Sequence, residues 1–300
     1  MGSHSEMISF MQRFLGYGLT GTTGEQCFVF LYGSGANGKS TLLDVLSKMM
    51  DQYACQAQPE TFMEMKRASQ QASSDIARLA GKRVVISNEV TEGEFLADNL
   101  IKQLTGGDKI TARYMYGEPF EFQPKFKLFM AGNHRPIVRG TDNGIWRRIL
   151  LVPFDQVIPE ALRDKQLAAK LAHELPGILN WAIKGCLDWA TDGLKVPAKI
   201  TDASKSYRSD MDLFGSWLDD ECDRGISRKV PVTLLFQNYR NWCEQSIIRP
   251  LSKPVFDRQM VNRGFVRDHT RTGNFWLGLD LKTRGVTHSA PIPLALVASA

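Results

Sequence analysis

The sequence predicts an α/β fold on a largely parallel sheet, and three features carry that prediction. Between residues 27 and 155, short apolar runs alternate with longer helical or polar stretches. The runs are hydrophobic almost throughout, as strands covered on both faces must be. The first run, Cys27–Tyr32, leads straight into Gly33-Ser34-Gly35-Ala36-Asn37-Gly38-Lys39-Ser40, which matches the phosphate-cradling pattern G-x-x-x-x-G-K-[ST]. A helical pattern follows, with Leu42, Leu43, Val45, Leu46 and Met49 at helix spacing. Strand, glycine-rich loop and helix form the context this pattern needs.

The elements follow in chain order. Residues 1–6 have the look of an expression scar and stand outside the fold argument. An N-terminal helical segment, 7–26, opens with an amphipathic helix over 7–20 (Ile8, Met11, Phe14, Leu15) that Gly16, Gly18 and Gly21 should break. A core of residues 27–200 holds four strands: Cys27–Tyr32, Arg83–Ser87, Phe126–Ala131 and Arg148–Val152. Residues 160–193 read as helical, with Leu162, Leu167, Leu171, Leu175, Leu179, Ile183 and Leu187 interrupted at Pro176-Gly177. A boundary falls around Gly193–Ser209. Residues 205–284 then form a smaller module. In it, Thr233–Ser246 is a helix with Leu235, Tyr239 and Trp242 on one face. A second helix is capped at Ser252, carries Pro254 in its first turn and stops at Gly264. The strands Phe265–Thr270 and Phe275–Asp280 join through Thr272-Gly273-Asn274. Helix, helix and hairpin is the plan of a winged helix, which offers its second helix to a DNA groove and its hairpin to phosphates. On that helix Arg258, Gln259 and Asn262 face away from Phe256 and Met260. Arg267 and Arg271 lie on the hairpin. The tail, 285–300, shows no usable period.

Composition narrows the class. The 300 residues are 43% hydrophobic and 23% charged, enough for one large or two ordinary domains. No apolar run approaches a membrane span, and no secretory leader is visible. The five cysteines are scattered, never spaced C-x-x-C, which fits a reducing cytoplasm and gives no zinc signature. The net charge of +5 is mild, but twelve basic residues face four acidic ones between Arg224 and Arg284. Such asymmetry points to an acidic partner at that end.

The chemistry centres on the glycine-rich loop. Its backbone N–H groups and the following helix N-terminus should hold phosphate oxygens. Lys39 reaches the β- and γ-phosphates, Ser40 holds Mg²⁺, and Thr41 completes the first turn. Gly33, Ser34, Gly35, Ala36, Asn37 and Gly38 form the cradle. Hydrolysis also needs a carboxylate at a neighbouring strand end. Glu89 is the first acid beyond Val84-Val85-Ile86-Ser87-Asn88, so it is assigned to water activation and metal support. Asn133 ends another apolar strand, where its amide can meet both γ-phosphate and water. Arg147-Arg148 precede the last strand and could supply a guanidinium across a subunit boundary.

Taken together, these motifs resemble a known family. They are the loop at 33–40, Gly81-Lys82-Arg83-Val84-Val85-Ile86-Ser87-Asn88-Glu89, residues Ile101–Arg113, Ala131-Gly132-Asn133-His134-Arg135-Pro136 and Trp146-Arg147-Arg148-Ile149. The set resembles the superfamily III helicase domain of phage- and plasmid-type primase-helicases, related to the poxvirus primase-helicase, from about Met7 to Asp280. The resemblance implies an AAA+-like P-loop ATPase that assembles as a ring, usually a hexamer. It implies ATP and Mg²⁺ between subunits, 3′→5′ movement on single-stranded DNA and unwinding of duplex at replication origins, with single-stranded and forked DNA as partners. By motif, Lys39 and Ser40 match Walker A, Glu89 Walker B, Asn133 the sensor, and Arg148 (Arg147 as the alternative) the arginine finger. A DNA-translocating hairpin would be Ile110–Met115 and Glu118–Phe122, turning at Tyr116-Gly117. Lys109, Arg113, Tyr114 and Tyr116 are its eligible DNA contacts. A primase domain or replication initiator is an expected partner, and the chain reads as a fragment or a stand-alone helicase. No primase metal cluster is visible. The competing readings are a P-loop small-molecule kinase and an ATP-switched DNA-binding regulator.

Overall fold

The computed structural model describes residues 5–64, 70–140, 142–246, 250–271 and 273–282. The chain divides into two compact units, Met1–Met211 and Asp212–Ala300.

The first unit is a five-stranded sheet between two helical layers. Its elements are α1 (Ser5–Leu19), β1 (Phe28–Tyr32), α2 (Lys39–Met50), β2 (Ala54–Gln56), α3 (Gln70–Ala77), β3 (Val84–Asn88) and α4 (Asp98–Gly106). After these come β4 (Ile110–Arg113), β5 (Pro119–Phe122), β6 (Lys127–Gly132), α5 (Asn143–Trp146), β7 (Ile149–Pro153), α6 (Leu167–His173), α7 (Leu175–Asp192) and α8 (Ala198–Met211). The strand order is β2-β3-β6-β1-β7, every pair is parallel, and β4-β5 is a separate antiparallel hairpin. The four expected strands are all present within one residue of their predicted ends. Only β2, three residues long, escaped the pattern.

Strand alternation sends two sets of side chains to opposite faces. Phe28, Phe30, Val85, Leu128, Met130, Ile149 and Leu151 join one core, with Ile101 and Leu104 of α4 and Ile145 and Trp146 of α5. Val29, Leu31, Val84, Ile86, Phe129, Ala131 and Val152 join the other, with Phe10, Met11 and Phe14 of α1 and Leu43 and Leu46 of α2. Both faces are dry, which is why these strands read as continuous apolar runs. Each such side chain contributes about 1.5–3 kcal/mol on burial.

Several expectations change. Ser5 and Glu6 lie in the first turn of α1, so they are part of the fold. Gly16 and Gly18 do not break that helix. A Cβ on Gly16 would lie 2.1 Å from the Cys186 nitrogen, and one on Gly185 would lie 2.0 Å from the Gln12 oxygen. These glycines let α1 and α7 approach closely. Residues 160–193 are helical, but Leu162, Leu179, Ile183 and Leu187 are exposed and Ala182 and Gly185 are buried instead. The boundary expected around 193–209 is helix α8. Its Ser204 hydroxyl donates to Ile149 O and accepts from Leu151 N, and Tyr207 is buried, its hydroxyl on Pro136 O. The division falls after Met211 because α8 completes the first core.

The second unit runs α9 (Leu213–Glu221), β8 (Cys222–Pro231), α10 (Val232–Gln245), α11 (Lys253–Asn262), β9 (Val266–Thr270) and β10 (Gly273–Leu281). Its antiparallel sheet has the order β8-β10-β9. Phe214, Trp217, Leu235, Tyr239, Phe256, Met260 and Trp276 form its core. The predicted helix–helix–hairpin order is present, with an additional helix and strand ahead of it. Cys243 and not Trp242 completes the buried face of α10. Thr272 and the 285–300 tail lie outside the described residues. The unit is less basic than the 224–284 count suggests, since Asp212, Asp219, Asp220, Glu221 and Asp223 fall just upstream. From Asp212 to Ala300 there are twelve basic and nine acidic residues. Arg224 pairs with Asp219, Arg228 with Asp223 and Arg263 with Asp212. No helix among the described residues is long and apolar enough to cross a membrane.

One buried cation pins the connection from α1 to β1. Lys127, fully buried at the start of β6, donates to Thr20 O at 2.6 Å, Thr22 O at 3.0 Å and Lys125 O at 3.4 Å. Its ammonium also sits 4.4 Å from the centre of the Tyr17 ring. Burial pushes it down to about 7, whereas the carbonyls and the ring favour the charged form. Lys127→Met should leave those carbonyls unpartnered and cost about 2 kcal/mol. The expected drop in thermal midpoint is about 4–8 °C, and an unchanged midpoint would remove the clamp from the account.

Candidate functional site

Parallel strands place all their C-terminal ends on one edge of the sheet, and ligand sites of open α/β sheets form there. β1 ends in the loop Gly33–Gly38. Gly38 has φ 87°, a left-handed conformation that costs glycine little, and it opens α2 without a side-chain cap. The first N–H groups of α2 therefore have no side-chain partner. Space beside Gly35 is open, with no atom within 4 Å of a Cβ placed there. Gly33 is the opposite case: its Cβ would lie 2.4 Å from Phe154 O, so the loop needs glycine to pass the end of β7. Asn37 Nδ2 donates to that same Phe154 O at 2.9 Å.

Lys39 is buried and converges on this loop. Its ammonium donates to Gly33 O at 2.6 Å, Asn37 Oδ1 at 3.1 Å and Asn133 Oδ1 at 3.2 Å. Burial lowers its pKa. Two residues separated by 94 positions, Lys39 and Asn133, thus meet at the ends of adjacent strands. Ser34, Gly35, Ala36 and Ser40 are exposed, with Thr41 half-buried.

Glu89 follows β3 directly, exposed and at φ 65°. A left-handed backbone at glutamate costs about 1–2 kcal/mol, and such strain gathers at functional sites. Its N–H donates to Ala131 O at 2.9 Å, which ties the end of β3 to β6 two residues before Asn133. Beside it, Asn88 Oδ1 and Ser87 Oγ are buried without a hydrogen-bond partner.

These residues fit a nucleoside triphosphate: an uncapped helix start, an ammonium at the loop centre and open space at Gly35. For Mg²⁺ they offer the Ser40 hydroxyl and the Glu89 carboxylate. Among the described residues no cluster of three His, Cys, Asp or Glu could cage a metal alone. A metal here would need phosphate oxygens as ligands.

The two arginines differ. Arg148 is buried, with Nη1 on Gly144 O at 2.5 Å, Nε on Thr105 Oγ1 at 3.1 Å and Nη2 3.5 Å from Gln26 Oε1. Burial and then the neighbouring Arg147 lower its pKa. Arg147 is exposed and touches Gln26 Oε1 at 2.5 Å. The sequence-based preference for Arg148 as a reaching guanidinium does not suit its surroundings, because it is buried and three of its five N–H groups bond within its own chain. Gln26 and Thr105, which hold it, gave no sequence signal for that contact.

The hairpin is shorter than expected, Ile110–Arg113 and Pro119–Phe122, because Gly117 N donates back to Tyr114 O and closes the turn early. Tyr116, 98% exposed, stands at the tip at φ 58°. Tyr114 stacks on Phe120 at 5.4 Å and donates its hydroxyl to Ala77 O at 3.1 Å. Lys109 is exposed, 4.0 Å from Glu121, and Arg113 is half-buried. In the second unit Arg258, Asn262 and Arg271 are exposed and Gln259 is half-buried. Arg267 lies 3.5 Å from Asp257, which also binds Lys253.

Comparisons extend this description. A family model described as a family of unknown function (DUF5906) matches residues 31–148, from the end of β1 to Arg148. "Putative helicase L207/L206" of Acanthamoeba polyphaga mimivirus is 30% identical over 243 residues, 75% of this chain and 25% of that protein. "Putative helicase 022R" of Frog virus 3 is 26% identical, covering 73% of this chain and 24% of that protein. "Putative primase C962R" of African swine fever virus is 25% identical over 42% of this chain and 13% of its own length. The chain thus spans about a quarter or less of these relatives. It is similar to proteins named as helicases and primases of large DNA viruses. The apo A-form structure of the NrS-1 C-terminal region superposes with a TM-score of 0.57 at 10% identity, covering 90% of this chain and 70% of that one. That likeness is one of fold.

Removing each arginine separates their roles. Arg148→Ala should lower stability by about 2–3 kcal/mol by orphaning Gly144 O and Thr105. Arg147→Ala should stay within about 0.5 kcal/mol of the parent. Equal melting of the two variants would contradict the assignment.

Proposed function

We propose that this chain is the motor of a replicative DNA helicase, an AAA+-like ATPase of the superfamily III type that works as a ring, in six copies, moving 3′→5′ on single-stranded DNA. The observation that carries the reading is the meeting of Lys39 with Asn133. A loop lysine and a neighbouring strand's amide share one point, with Glu89 one strand further along the same edge. The names of the viral relatives support a role in DNA replication, and those of the primases support a primase partner.

In this reading the residues exchange partners. Lys39 leaves Gly33 O and Asn37 for the β- and γ-phosphates of ATP, and the uncapped amides of α2 take phosphate oxygens. Asn133, released from Lys39, then bonds the γ-phosphate and the attacking water. Glu89 orients that water, and its exposed, strained corner keeps the carboxylate at the mouth of the site. The water oxygen bonds the γ-phosphorus as the bond to the bridging oxygen breaks, and the water's proton leaves with the products, ADP and phosphate. Ser40 and Glu89 would hold Mg²⁺, which would supply charge neutralisation. Arg147, exposed where Arg148 is buried, is the guanidinium that would reach the neighbouring subunit's phosphates. The second unit serves as a winged helix, with Arg258, Gln259, Asn262 and Arg271 toward duplex. Arg267 acts there as a brace to Asp257.

The test compares ATPase rate with and without single-stranded DNA, alongside fork unwinding. Lys39→Ala should lose at least about 100-fold in DNA-stimulated turnover, and with it unwinding. Turnover indifferent to DNA would favour a small-molecule kinase. ATP-dependent DNA binding without strand separation would favour a switched regulator. Arg147→Ala should bind ATP yet turn over about 10³-fold more slowly. Mixing it with Glu89→Gln subunits should restore part of the rate, since mixed rings contain sites with both groups intact. Normal turnover of Arg147→Ala would end the shared-site model.

A further inference from the structure

A second cavity lies away from the phosphate loop, where β2 and the start of β3 meet the turn of the hairpin at Tyr114. Its volume is about 490 Å³, and Gln56, Cys55, Arg78, Lys82 and Tyr114 line it. That size lies within the about 300–1,000 Å³ of small-ligand sites. Neither the loop at 33–40 nor any proposed catalytic residue takes part in it.

Its lining has one chemical character. Arg78, just past the end of α3, is exposed, its backbone N–H bonds Ser74 O at 3.3 Å, and its side chain has no hydrogen-bond or ion-pair partner among the described residues. Lys82 spends one proton on Gln52 O at 2.8 Å, leaving two for a ligand. No acidic side chain lines the cavity. The opposite wall is the Tyr114 ring, half-exposed and held rigidly by its stack on Phe120 and its bond to Ala77 O. β2 is the edge strand of the sheet, and among the described residues no strand pairs with its outward side. Two cations, one fixed aromatic face and a strand edge are what a nucleotide unit uses. The cations take its phosphate, the ring stacks its base, and the strand edge meets the base's polar rim.

We infer that this cavity binds one nucleotide of a single-stranded nucleic acid, with its phosphate at Arg78 and Lys82 and its base on Tyr114. The choice of ligand rests on the reading of the chain as a DNA motor. The anchoring of Tyr114 to α3 gives the strand a fixed foothold beside the hairpin, in contrast to the exposed tip at Tyr116. It also makes the binding tolerant of sequence, since every base has a face to stack.

The test uses the full chain and a fluorescein-labelled oligothymidylate, with affinity read by polarisation across a salt series and melting curves as the control for folding. Arg78→Gln combined with Lys82→Gln should weaken binding about tenfold or more and lower the slope of log affinity against log salt by about 0.7, because one phosphate loses its cations. Tyr114→Ala should weaken binding about tenfold with the slope retained, and Tyr114→Phe should restore it. Unchanged affinity and slope in the double variant, with folding intact, would assign the strand elsewhere and overturn the cavity alone. A parent that binds no oligothymidylate would overturn both the cavity and the motor reading. Thymidine monophosphate competing as well as the oligonucleotide, per nucleotide, would overturn the strand in favour of a free nucleotide. Polyglutamate binding more tightly than oligothymidylate would overturn it in favour of an acidic polypeptide.

Discussion

Parallel pairing forces every strand of the five-stranded sheet to leave on the same side, and the candidate site exists because of that constraint. With β1 flanked by β6 and β7, the loop after β1 must pass between Asn133 on one side and Phe154 on the other. The Lys39 ammonium occupies the point where these segments converge, bonded to three oxygens from two strand ends. Gly33 passes the end of β7 where any side chain would collide, and Glu89 accepts a left-handed backbone to turn out of β3. The loop's chemistry therefore depends on strand order as much as on its own residues.

A second polar centre lies between α1 and β1. Lys127 holds the carbonyls of Thr20 and Thr22, Trp189 donates to Glu25 at 2.7 Å, and Gln26 accepts from Arg147 and approaches Arg148. Residues 20–26 have little apolar surface to bury, so these charged and amide groups define their path. The same segment sets which arginine is free. Arg148 is drawn inward to Thr105 and Gly144, and Arg147 is left at the surface. Burying a guanidinium costs several kcal/mol unless its protons are satisfied, which makes Arg148 a poor group to withdraw for another task.

The N-terminal helix shows how local propensity yields to packing. Gly16 and Gly18 are poor helix residues, each about 1 kcal/mol worse than alanine in isolation. Gly16 nonetheless brings α1 against α7 at Gly185, where a single methyl group would meet backbone. The leucines of 160–193 show the converse. Their periodicity announces helices correctly, yet Leu162, Leu179, Ile183 and Leu187 face outward because the α1 contact uses the small-residue side of α7.

Four of the sheet's five strands, the loop with Lys39, and the polar residues at two neighbouring strand ends were legible in the sequence alone. Continuous apolar runs and a glycine-rich turn are local signals, and local physics reads them. The sequence also carried α10, α11 and the hairpin of the smaller unit through their cap, proline and glycine positions, but not α9 or β8. Tertiary structure decided what local signals cannot carry: that Lys39 and Asn133 touch across 94 residues, and that Arg148 is spent internally. Only there do Asp219, Asp223 and Asp212 pair with Arg224, Arg228 and Arg263, and only there do Arg78, Lys82 and Tyr114 share one cavity. Each of these depends on which distant segments the packed sheet brings side by side, and periodicity holds no record of that.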